Sequence, residues 1–120
     1  MRKAPILIVL VALTGCAGQR YEWGGYEDTL YRHYRRPAEA AEFTTRLGDD
    51  LHRAETSGKV PPGLYAEYGY ALYEAGRYAE AQDYFKRESD LWPESRVLMA
   101  RLIELCAKAQ ARAAQPEARP

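Results

Sequence analysis

The sequence predicts an all-α domain of antiparallel helix pairs closed by a C-terminal capping helix. Three observations predict it. Apolar residues recur at helical spacing over most of the chain after Gly25, no segment alternates in the manner of a strand, and one stretch, 62–95, has the spacing of a helix–turn–helix repeat. At 120 residues the chain has room for one domain, of ordinary globular composition at 47% apolar and 28% charged. Ten tyrosines against two phenylalanines is the unusual feature. A tyrosine buries its ring but keeps its hydroxyl wet or paired, so half-buried aromatic positions are expected.

The first residues are read as a targeting segment. Arg2 and Lys3 supply a positive start, and Ala4 to Leu13 is an apolar run too short to span a bilayer core. It ends in Leu13-Thr14-Gly15-Cys16, an aliphatic residue, two small ones and a cysteine. This resembles the lipobox of bacterial lipoproteins. The resemblance implies that residues 1–15 are a signal peptide cleaved between Gly15 and Cys16, and that Cys16 carries the acyl chains. Ala17 and Gly18 follow, with no Asp to retain the protein in the inner membrane. The implied location is the periplasmic face of the outer membrane. Removing Arg2 and Lys3 leaves 15 basic and 17 acidic residues, a balance near −2. That disfavours nucleic acid, which needs a dense basic footprint, and electrostatic adhesion to anionic lipid.

Residues 16–25 form the expected lipidated tether, and 26–113 the helical domain. A first helix is expected from Tyr26 to Arg36, with Glu27 and Asp28 at its start and Arg35-Arg36 at its end to complement the macrodipole. Tyr26, Leu30 and Tyr34 form its predicted packing face. Pro37 ends it and suits the start of the next helix, Ala38 to Glu55. Ala40, Phe43, Leu47, Leu51 and Ala54 are that helix's predicted buried stripe, and Ser57-Gly58 its stop. Helices are also expected over Leu64–Ala75, Tyr78–Leu91 and Glu94–Ala113, with a frayed tail at 114–120. Cys106, among apolar residues at helical spacing, reads as a packed thiol.

Over Pro62–Ser95 the pattern resembles a tetratricopeptide repeat. Tyr65, Tyr68-Gly69, Ala71-Leu72, Gly76, Tyr78, Ala81, Phe85 and Pro93 fall on its positions. Gly69 and Ala81 remove side chains where two helices cross, and Tyr65, Tyr78 and Phe85 fill the space beside them. Glu88 departs from the pattern, which has a small residue there; it is expected at a rim. Residues Tyr26–Thr56 read as a preceding helix pair without the signature. The opening Tyr21-Glu22-Trp23-Gly24-Gly25-Tyr26-Glu27, with Leu30-Tyr31 after it, further resembles a family of small Gram-negative lipoproteins catalogued as a domain of unknown function. That resemblance implies genes lying beside those of two other lipoproteins, one similar to the curli-secretion channel subunit. It carries no activity.

No catalytic constellation is legible, and no enzyme is expected. His33 and His52 lie on different helices with no Cys or second His at ligand spacing, and Asp49-Asp50 reads as a solvated face, so no metal and no cofactor beyond the lipid on Cys16 is expected. Ser57, Ser89 and Ser95 lack a nucleophile context. Two surfaces remain. Ala66, Tyr70 and Tyr73, bordered by Glu74, occupy the face of their helix that lines the concave groove in repeats of this type; it is either open to a partner or covered by the chain's own N-terminal segment. Tyr21, Trp23 and Tyr26 form a second cluster that docks a partner, sits at the headgroup boundary or staples the first helix. The expected function is that of an outer-membrane lipoprotein acting as a non-enzymatic adaptor for other envelope proteins, in a secretion or assembly complex. The alternatives are a peptidoglycan- or peptide-binding envelope protein and an assembly chaperone for a partner lipoprotein.

Overall fold

The computed structural model describes residues 18, 20–36 and 39–115. The fold is all-α. Five helices follow one another among the described residues: α1 (Tyr26–Arg35), α2 (Ala40–Ser57), α3 (Leu64–Glu74), α4 (Tyr78–Leu91) and α5 (Arg96–Ala114), with a 3-10 turn at Pro93–Ser95 leading into the last. The signal peptide, Gly15, Cys16 and residues 116–120 lie outside the described residues.

Within the pairs α1/α2 and α3/α4 the helices run antiparallel, as the contacts show. Gly25 meets Asp50 while His33 meets Phe43, and Gly63 meets Glu88 while Tyr73 meets Tyr78. The pairing is compatible with a tetratricopeptide-like arrangement. One core cluster joins Phe43, Leu47, Leu51 and Ala54 of α2 to Leu64 and Ala71 of α3. A second joins Leu72, Ala81 and Phe85 to Met99 and Cys106 of α5. The close crossing of α3 and α4 rests on Gly69. A Cβ there would stand 2.8 Å from the Phe85 ring and 3.2 Å from the Ala81 carbonyl oxygen. A polar knot binds the outside of the same crossing to α2. The Tyr65 hydroxyl donates to Glu55 at 3.0 Å, Arg87 pairs with Glu55 at 3.1 Å, and Arg87 lies over the Tyr84 ring. Burial and the neighbouring Glu55 carboxylate push the Tyr65 phenol up.

Four expectations are corrected. Glu88 is not at a rim; it is 1% exposed. Its carboxylate turns back to α3, where the Gly63 amide donates to Oε1 at 2.7 Å, and the Ser95 hydroxyl lies 3.5 Å from the same oxygen. The first-turn amides of Tyr65 and Ala66 also favour its charged form, though neither closes a full bond to Oε2. A helix start offers unpaired N–H groups and a positive dipole end, which is why an acid fits where the repeat pattern has a small residue. Asp50, expected on a solvated face, is likewise buried. It accepts from the Gly25 amide at 3.2 Å at the start of α1 and pairs with Arg53. The packing side of α1 is Thr29 and His33, not Leu30 and Tyr34. The His33 ring stacks on Phe43 at 4.0 Å and Thr29 is buried, while Leu30 and Tyr34 face out. On α2, Ala40 is exposed and the stripe begins at Phe43.

These two carboxylates expose an internal symmetry. In each pair the acid lies 25 positions after the glycine it holds. Gly63 follows Gly25 by 38 positions, and Glu88 follows Asp50 by 38; the starts of α1 and α3, and of α2 and α4, keep the same interval. The buried pairs Phe43/Ala81 and Leu47/Phe85 also obey it. The first helix pair is thus the second pair's structural counterpart, with α2 at 18 residues against 14 for α4.

Gly69→Ala should lose about 1–3 kcal/mol in urea unfolding, because the added methyl overlaps Phe85 and backbone at once. Glu88→Ala should lose about 2–4 kcal/mol, from the stranded Gly63 amide and the space left behind. Glu88→Gln should not, since an amide oxygen still accepts. Burial, the largest influence on Glu88, raises its pKa above the ordinary glutamate value against the opposing amides. The folded state therefore holds the proton more tightly. The stabilisation that protonation brings is full below the unfolded glutamate pKa and is lost as pH rises through the folded one. Unfolding titrations should show wild type gaining on Glu88→Gln as pH is lowered from neutrality toward that range.

Candidate functional site

The chain entering the domain is strapped down before α1 begins. The Glu22 amide donates to the Lys59 carbonyl at 2.8 Å, the Gly24 amide to the Glu22 side chain at 3.1 Å, and the Gly25 amide to Asp50. Tyr21 packs edge-on against Trp92 at the end of α4, with centroids 5.9 Å apart, and against Trp23 at 6.5 Å. Trp23 in turn lies on Tyr26 at 5.7 Å. The three aromatics fasten the entry strap to both helix pairs and set Trp23 and Tyr26 along one side of a groove.

That groove, about 440 Å³, runs between α3 and α5. Ala66 and Tyr70 form its floor on α3, Leu98, Met99 and Leu102 its far wall on α5, and Trp23 and Tyr26 its near wall. Tyr70 is 45% exposed and Leu98 57%. The lining is apolar except for Glu67, one residue beyond Ala66, whose carboxylate faces the Tyr26 hydroxyl. Burial first, and Glu67 second, push that phenol up. An apolar trough with aromatic walls and one carboxylate can take an amphipathic segment: its apolar side chains against Tyr70 and the leucines, a cation against Glu67.

The sequence-predicted residues are redistributed. Ala66 and Tyr70 lie in the groove, and so do Trp23 and Tyr26, which had been assigned to a separate surface. Tyr73 leaves the groove: at the last turn of α3 it packs on Tyr78 at 5.5 Å and stacks on Tyr70 at 5.9 Å. Glu74 is exposed and does not line it. The N-terminal segment supplies a wall of this face through Trp23 and Tyr26, and Tyr70 stays exposed beside it. Glu67, Leu98, Met99 and Leu102 are not named as site residues in the sequence reading. The i, i+4 pair Leu98 and Leu102 on the last helix is the signal that points to the α5 residues.

Cys106 is fully buried, and burial pushes its thiol up, away from the thiolate that nucleophilic or metal chemistry requires. Among the described residues, no three His, Cys, Asp or Glu side chains gather as metal ligands, and no helix is long and apolar enough to cross a membrane. No curated protein and no solved structure matches the chain. Residues 20–102 match the family described as Domain of unknown function (DUF4810), and the chain belongs to that family.

Proposed function

We propose that this protein is an outer-membrane lipoprotein, anchored through acyl chains on Cys16, that acts as a non-enzymatic adaptor and presents the groove between α3 and α5 to other envelope proteins. The lipobox-like Leu13-Thr14-Gly15-Cys16 supports the anchor. The groove carries the adaptor reading. It is apolar and open, and its walls are held by contacts within the domain, the near one by the strap and the far one by the core, which lowers the ordering cost a partner segment meets on the protein side. Anchoring raises the effective concentration toward co-anchored partners, so a modest groove suffices. A lipoprotein resembling the curli-secretion channel subunit, and a second neighbouring lipoprotein, are the partners of choice. Glu67 selects within that class for segments that place a Lys or Arg beside apolar side chains.

A photo-cross-linking residue placed at Tyr70 in the anchored protein should form adducts with a co-anchored envelope lipoprotein, and the same residue at Arg101, outside the groove, should not. A central aromatic contact is worth about 2 kcal/mol, so Tyr70→Ala should weaken capture by about 30-fold. If the groove takes up muropeptides instead, and Tyr70→Ala abolishes that binding while no protein adduct forms, the adaptor reading is wrong.

A further inference from the structure

Among the described residues, no helix packs on the outer face of α1. Leu30 is 38% exposed, Tyr31 58% and Tyr34 85%, and together with Tyr26 they line a shallow apolar depression on the first helix of the series. Arginines frame this stripe. Arg35 donates to the Tyr31 hydroxyl at 2.9 Å and lies over its ring, Arg36 follows the helix end, and Arg32 pairs with Asp28 on the flank. An exposed Leu–Tyr–Tyr stripe with an arginine at the Tyr31 hydroxyl and others at the helix end and flank suits the boundary between acyl chains and headgroups: the apolar side chains and rings meet apolar material and the guanidinium groups meet phosphate.

Chain length says what lies opposite. Five residue steps separate Cys16 from Tyr21, which is fixed on Trp92, and the strap then passes through Glu22 and Gly25 directly into α1. Five extended residues span at most about 17 Å. A bilayer holding Cys16 is thus kept within about one helix length of the domain, α1 itself being about 15 Å long. We infer that the Leu30–Tyr31–Tyr34 face of α1 rests on the membrane interface and fixes the orientation of the domain, leaving the groove between α3 and α5 free for partners. The inference rests on the lipid anchor proposed above. The acyl chains supply the affinity and α1 supplies the orientation, so a slightly acidic chain presents no obstacle.

The test uses the acylated protein, produced in a Gram-negative host and reconstituted into phosphatidylethanolamine–phosphatidylglycerol vesicles containing spin-labelled phosphatidylcholine. A nitrobenzoxadiazole label at Tyr34→Cys reports on the face, and one at Arg101→Cys on α5 serves as the distant control. The Cys106 thiol is buried and escapes labelling. The label at position 34 should shift its emission to the blue and be quenched by the spin-labelled lipid, while the label at position 101 should do neither. Adding Leu30→Glu and Tyr31→Glu should abolish the shift at position 34 with flotation retained. Acylated, vesicle-bound protein whose position-34 label stays in water overturns this inference and leaves the anchor standing. So does a label already shifted without vesicles, which assigns the face to a second copy, or one shifted only when a protein partner is added. Protein that fails to float and carries an unmodified Cys16 overturns the anchor reading and this inference with it.

Discussion

The fold depends on a carboxylate buried at the start of a helix, used twice. Asp50 reaches Gly25 and Glu88 reaches Gly63, each from the second helix of a pair back to the first turn of its partner. The chemistry is economical. A helix start needs acceptors for its free N–H groups, and a buried carboxylate needs donors and positive potential. Each group answers the other's deficit inside one crossing, and the link fixes the rotation of one helix about the other more tightly than apolar contact alone. Gly63 has φ of +89°, a left-handed conformation that a side chain would strain, and it is in this conformation that its amide meets the acid. Gly24, at φ of +53°, sits against Asp50 so closely that a Cβ would stand 2.6 Å from its oxygen.

The groove follows from the same two links. Asp50 holds Gly25, and with it the strap that carries Trp23 and Tyr26; Glu88 holds Gly63, and with it the first turns of α3 that carry Ala66, Glu67 and Tyr70. One wall and the floor of the trough are therefore each held by a carboxylate from the paired helix. Met99 and Leu102, packed with Phe85 and Cys106, set the far wall. A surface built this way has its walls and floor held by contacts within the domain.

Much of this was legible in the sequence. The helix boundaries, the close approach at Gly69 and Ala81, and the buried thiol all follow from local pattern, because spacing and residue size report directly on a helix crossing. What was not legible depended on long-range geometry. Glu88 looked like a departure from a repeat because its partner amide lies 25 positions upstream, and Asp50 looked like part of an acidic surface pair for the same reason. Their equivalence could have been found by asking for an acid at matched positions in both pairs, ten residues after the second helix begins. On α1 the larger residues Leu30 and Tyr34 outweighed Thr29 and His33 in any hydrophobic count. Yet Phe43 stacks flat on the imidazole, and the smaller side sits closer to α2. The groove was half legible: its floor came from the helical period of α3, while its walls needed the strap and the last helix in place.

Native-state hydrogen exchange at the Gly25 and Gly63 amides tests the two-carboxylate account most directly. Both sit at helix starts, where an amide without an acceptor exchanges freely. The account predicts that both are protected and open only with their helix pair, at free energies near those of the amides inside α2 and α4. Exchange at the rate of an exposed loop, with the helix interiors still protected, would show that the acids do not hold these helices and would contradict it.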